Sequence, residues 1–192
     1  MGVAAAAVAA TLVACGSRAP AVTGSTVVHT TITTRTPTPS ALPTGAIDVG
    51  PVSAVPGVCP YLDAPTAQDD EGNRIGATVV LRVDGRTVGC RFDYYYDGHP
   101  VLEITSARFR STILAYNAMV RLGRSGTNQI PVQDLIPGVD GVLYQTAFNP
   151  PDGRLDWACS FATADTVVTV KTDQKNVSFN ARNIAKTIAP KF

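Results

Sequence analysis

The chain has 192 residues, with 16 basic and 15 acidic side chains and a formal net charge of +1. That balance excludes the basic stripe of a nucleic-acid-binding domain, which must neutralise phosphates. The two histidines, His29 and His99, have no second ligand at metal-binding spacing, so the sequence predicts no metal centre.

Residues 2–14 are uncharged and apolar apart from Thr11 and the small Gly2. They are too few to cross a hydrocarbon core, which takes about 20 residues of helix, but they suit the apolar region of an export signal. The run closes on Leu12-Val13-Ala14-Cys15, which resembles the lipobox of bacterial lipoproteins. In that signal the Cys receives a diacylglyceryl thioether and becomes the new N-terminus. Residues 1–15 are therefore expected to be a signal peptide with Cys15 as the lipidation site. The protein would then be held on the extracytoplasmic side of the cell membrane by palmitate-type chains, two or three of which anchor stably where one is marginal. No Lys or Arg precedes the run, so the basic flank of such a signal is expected upstream of Met1.

Residues 16–57 are rich in Thr, Pro, Ser, Ala and Val, with no acid before Asp48 and no apolar period. Such a stretch buries too little to offset its ordering entropy, and it reads as a disordered tether. Residues 58–192 make one domain.

Within that domain, Thr78 to Val83 reads as a strand turned by Asp84-Gly85, and Thr87 to Tyr96 as a second, with Asp97-Gly98 as a hairpin dipeptide. A third strand follows from Val101 to Phe109. Ser111 caps a helix ending at Leu122, with Gly123 at C′ and Ala115, Ala118, Met119 and Leu122 inward. After a polar loop come strands at 142–148, 155–162 and 166–172. A last helix, about 177–189, carries Val177, Ala181, Ile184, Ala185 and Ile188 at helical spacing and stops at Pro190. The predicted fold is α+β: an antiparallel sheet with two helices in the order βββα-βββα. Each half places a Cys-x-Phe on its middle strand (Cys90-Arg91-Phe92, Cys159-Ser160-Phe161) and an aromatic-Asn-Ala on its helix (Tyr116-Asn117-Ala118, Phe179-Asn180-Ala181), two short coincidences that are weak evidence of an internal repeat, and the layer fold is expected with or without it.

Beyond Cys15, three cysteines remain in a compartment that permits disulfides. The pairing Cys59–Cys90 ties the start of the domain to a central strand. Cys90–Cys159 is the alternative, and the odd thiol is a buried hydrophobe.

Catalytic material is sparse. There is no Gly-x-Ser-x-Gly elbow and no phosphate loop, since Gly123-Arg124-Ser125-Gly126 lacks the lysine. Asp69-Asp70-Glu71-Gly72-Asn73 reads as a solvated acidic turn, and Asp134, Asp140, Asp152 and Asp156 as turn residues. On the second strand, Val88, Cys90, Phe92 and Tyr94 take the core face, leaving Arg91, Asp93 and Tyr95 as a possible binding face. No catalytic residue and no cofactor are assigned.

Cys59-Pro60-Tyr61-Leu62-Asp63, Gly89-Cys90-Arg91-Phe92, the helix Ala115 to Arg121, Gly138-Val139-Asp140-Gly141, Asp156-Trp157-Ala158-Cys159 and Asn180-Ala181-Arg182 together resemble the actinobacterial lipoproteins that carry the domain of unknown function 2020. The resemblance implies a Gram-positive envelope and a sandwich similar to the Mog1/PsbP fold. It brings no activity. The expectation is a lipid-anchored envelope protein, a non-catalytic module binding an envelope protein or small ligand. Its rivals are a ligand-sensing domain like the extracellular sensors of actinobacterial kinases, a hydrolase using His99 or an Asp pair, and a purely structural envelope protein.

Overall fold

A computed structural model describes residues 41–146, 157–173 and 178–192. Cys15, His29, Asp152 and Asp156, with most of the expected tether, lie outside the described residues. The elements run β1 (Ser53–Pro56), α1 (Ala64–Glu71), β2 (Ile75–Val83), β3 (Arg86–Tyr94), β4 (Pro100–Arg108), α2 (Thr112–Ser125), β5 (Thr127–Ile136), β6 (Val139–Gln145), β7 (Trp157–Thr163), β8 (Thr166–Thr172) and α3 (Ser178–Ile188), then a short 3₁₀ turn. The class is α+β, as the sequence predicts, but with three helices and in the order β-α-βββ-α-ββββ-α.

All eight strands form one antiparallel sheet in the order β1-β2-β3-β4-β8-β7-β6-β5. Helices flank both of its faces. Val168 clusters with Ile184, Ala185 and Ile188 of α3 and Ala67 of α1, whereas Val167 clusters with Ala115, Ala118 and Met119 of α2. Consecutive strand residues point to opposite faces, so α1 and α3 share one face and α2 lies on the other.

The pairing contains a two-fold pattern. A single row of register partners crosses the whole sheet: Val55, Val80, Cys90, Ile104, Val170, Cys159, Leu143, Ile130. Ile104 opposite Val170 is its centre. Outward from there, Cys90 matches Cys159, Val80 matches Leu143, and exposed Val55 matches exposed Ile130. The two Cys-x-Phe motifs therefore occupy equivalent places on β3 and β7. The helices break the pattern, since α2 and α3 sit on opposite faces. The connections break it too: five residues (Tyr95–His99) join β3 to β4, and only Ala164 and Asp165 join β7 to β8.

Four sequence expectations are corrected. Residues 41–57 belong in part to the fold: Leu42 packs on two core clusters, Ala46 is buried, the Ile47 N–H donates to the Arg108 carbonyl at 2.8 Å, and Asp48 pairs with Arg86 at 2.8 Å. These few apolar residues extend the α2-side cluster over Leu81, Val83 and Val88 of β2 and β3, and so they offset the entropy of ordering a Pro-rich stretch. The acidic turn is the end of α1, capped by Asp63, whose side chain accepts from the Thr66 N–H, and closed by Gly72 at φ 73°. The polar loop is the edge strand β5, in which Pro131 is tolerated because an edge leaves one side unpaired. Finally, Gly123 is not a terminus. It lies inside α2, and a Cβ there would stand 2.7 Å from Val142 Cγ2, so its role is close helix–sheet approach.

Candidate functional site

The β3–β4 connection is built by main-chain bonds that leave its rings outside. The Tyr94 N–H donates to the His99 carbonyl at 2.8 Å, Gly98 N–H to Tyr94 at 3.0 Å, and Gly98 takes φ 71°. The Tyr95 N–H reaches the Arg74 carbonyl at 2.9 Å, lashing the turn to the start of β2. Gly76 makes that approach possible, since a Cβ there would lie 2.7 Å from Tyr95 Cα. The aromatic run Tyr94-Tyr95-Tyr96 is thereby wrapped into a knuckle.

On the knuckle, the Tyr94 and Tyr96 ring centroids are 5.2 Å apart, Tyr95 and Tyr96 meet edge-on at 5.4 Å, and Tyr94 stands 5.1 Å from His99. The Arg74 guanidinium lies 4.1 Å from the Tyr95 ring centroid, within cation–π range. Tyr95 is 53% and Tyr96 72% exposed. His99 bridges two carboxylates, Nδ1 to Asp97 at 2.5 Å and Nε2 to Asp173 at 3.4 Å. This is a rigid platform of ring faces with polar groups at its margin, the composition of a contact surface.

Of the three residues expected to form a binding face, only Tyr95 is exposed. Arg91 and Asp93 are 3% and 8% exposed and clasp one another, Nε to Oδ1 at 2.8 Å and Nη2 to Oδ2 at 3.2 Å. The alternation rule put them on the correct side of β3, but that side is buried as well. Arg91 stands opposite Glu103 in register, and Glu103 opposite Lys171, so charge alternates across three strands beneath the sheet's second face. The pair orders the strand that carries the knuckle and does not itself meet solvent. Arg74 and Tyr96 were not picked out from the sequence; Arg74 becomes visible as a partner only once Ile75 is known to pair with Tyr94.

The other candidates resolve structurally. Cys59 and Cys90 are bonded, with Cα atoms 5.7 Å apart, while Cys159 is a buried free thiol whose pKa burial pushes up to about 12. That thiol is no nucleophile, because the thiolate is the reactive form. Asp140 Oδ1 accepts from the Asp134 N–H at 3.0 Å, bracing an irregular hairpin. Glu71 points into the core at the end of α1, where burial first, then the charges of Asp173 and Asp70, push its pKa up to about 9. Among the described residues no three His, Cys, Asp or Glu side chains converge on a metal position, and no helix is long and apolar enough to cross a membrane.

Fold and site together define a disulfide-tied domain with an antiparallel sheet between helical layers and an aromatic knuckle at one hairpin. No known protein family matches the chain, and no curated protein does. Among solved structures it is similar to the extracellular domain of PknH from Mycobacterium tuberculosis, at 9% identity and a TM-score of 0.29, over 74% of this chain and 82% of that one. So low a score carries no argument about ligand or mechanism.

Proposed function

We propose that the protein is a non-catalytic binding module of the cell envelope, anchored by lipid at Cys15 and making contact through the knuckle of Tyr95, Tyr96 and Arg74. The observation that carries this reading is the exposed, internally braced ring cluster, whose ordering cost is met within the fold before any partner arrives. The Cys59–Cys90 bond supports an oxidising, extracytoplasmic setting. The resemblance to the lipoproteins with the domain of unknown function 2020 points the same way.

Two measurements test it. Retention of the full chain on isolated cell-envelope material is expected to fall at least about tenfold in Tyr95→Ala/Tyr96→Ala, because a central aromatic contact contributes about 2 kcal/mol. The variant should stay folded, with a melting temperature lowered by only a few degrees for the lost ring contacts, and equal retention would remove the knuckle from the interface. Separately, Cys15→Ala should change gel mobility and move the protein out of the membrane fraction, whereas unchanged mobility would rule out acylation there.

A further inference from the structure

The outward face of α2 is unusual for a helix packed on a sheet. Ala115, Ala118 and Met119 are buried in a cluster with Ala107 and Val167, yet Ile113, Leu114 and Tyr116 are 73%, 43% and 53% exposed. At 100° per residue Ile113, Tyr116, half-buried Val120, Arg124 and the polar Asn117 fall on one outward ridge, with Arg121 and Leu114 beside it. Arg110 stands just before the helix. Arg110, Arg121 and Arg124 are all exposed, and none forms an ion pair with any described residue. No Asp or Glu occurs between Glu103 and Asp134, and the nearby Asp165 is taken by Arg108 at 3.8 Å.

A largely apolar ridge whose charged neighbours on the helix are all arginines is the chemistry of a helix lying in the headgroup region of an anionic bilayer, with apolar side chains dipping toward the acyl boundary and guanidinium groups on phosphates. We propose that the outer face of α2 docks on an anionic phospholipid surface. A protein partner of matching charge would leave the question of why Ile113 and Tyr116 stand on a convex ridge instead of lining a groove. A lipid surface takes a ridge without needing a complementary shape. The docking is independent of acylation at Cys15 and of the tyrosine knuckle.

The test uses the full chain carrying Cys15→Ser, with vesicles of phosphatidylglycerol or phosphatidylcholine. A tryptophan reporter, Ile113→Trp, is expected to be quenched by brominated acyl chains in phosphatidylglycerol vesicles and to stay unquenched in phosphatidylcholine, relative to the chain without it. Arg110→Gln/Arg121→Gln/Arg124→Gln should weaken the charge-dependent binding by about a hundredfold, on the order of fivefold per arginine, with the thermal transition unchanged. Any binding through the apolar residues 2–14 would be common to both lipids and would not quench position 113. Absence of quenching at 113 overturns the proposal, as does wild-type phosphatidylglycerol affinity in the triple variant. A lipid-free dimer that Ile113→Ser/Tyr116→Ser disperses would assign the face to a second copy instead.

Discussion

Glu71 shows how far a single side chain can depart from its sequence reading. Among acids at a turn it reads as solvated, yet α1 brings it inside, and the Asn180 side-chain amide donates to its carbonyl at 3.3 Å, joining α1 to α3. Its folded pKa of about 9 stands above the ordinary 4.5. The folded state therefore holds a proton that the unfolded chain releases above pH 4.5. The associated stability is complete below pH 4.5 and drains as pH rises toward 9, by up to about 3 kcal/mol at pH 7. Glu71→Gln is expected to raise stability at pH 7 by about 1–3 kcal/mol and to leave it unchanged at pH 4, read by urea unfolding at both. An equal shift at both would show that the side chain is not protonated in the fold. Arg91 and Asp93 teach the companion lesson. Period-2 alternation assigns sides of a strand correctly, but which sides are wet depends on what the rest of the chain lays over them.

Elements were legible where they carry an apolar stripe and a stop signal. The β2, β3, β4 and β8 strands and the α3 helix are close to their sequence bounds because Val, Ile and Phe alternate, or recur at helical spacing, between Gly, Asp and Pro punctuation. Elements with little or no apolar stripe were invisible: β1 is exposed at all four residues, and α1 buries only Ala67 and Glu71. Asp63, Pro65 and Gly72 do spell a cap, a first-turn proline and a C-terminal stop, a signal that the missing stripe outweighed. For β5, Pro131 and the positive φ at Asn128 and Asp134 mimic a loop. Gly123 has the sequence signature of a helix end, though the helix continues to Ser125. Because its missing Cβ admits Val142, Gly123→Ala should destabilise by about 1–3 kcal/mol through overpacking, despite the higher helix propensity of Ala. A thermal melt decides, and a stabilised variant would show that the α2–β6 contact has slack.

At the scale of the molecule, every strand pair but one joins sequence neighbours, and the exception is β4 with β8. Amide protons in β3, β4, β7 and β8 should exchange slowest and those of β1 and β5 fastest, the edges opening without loss of the rest. Uniform protection would mean that the edges are held by more than pairing. The α2 helix crosses this division, following β4 in sequence but packing on β6, β7 and β8. The knuckle sits where the first half has the longer hairpin, so the proposed binding surface is the part of the sheet that its two-fold pattern does not repeat.

The seam at Ile104 and Val170 has a consequence for more than one chain at a time. Two halves that meet in a single antiparallel strand pair present the same edge chemistry to a neighbour as to each other. Through the short passage at Gly126, between α2 and β5, one copy's second half could be exchanged for another's with every register kept. Domain-swapped dimers are therefore the expected misassembly when unfolded chains are returned to native conditions at high concentration, read by size-exclusion chromatography of the refolded protein.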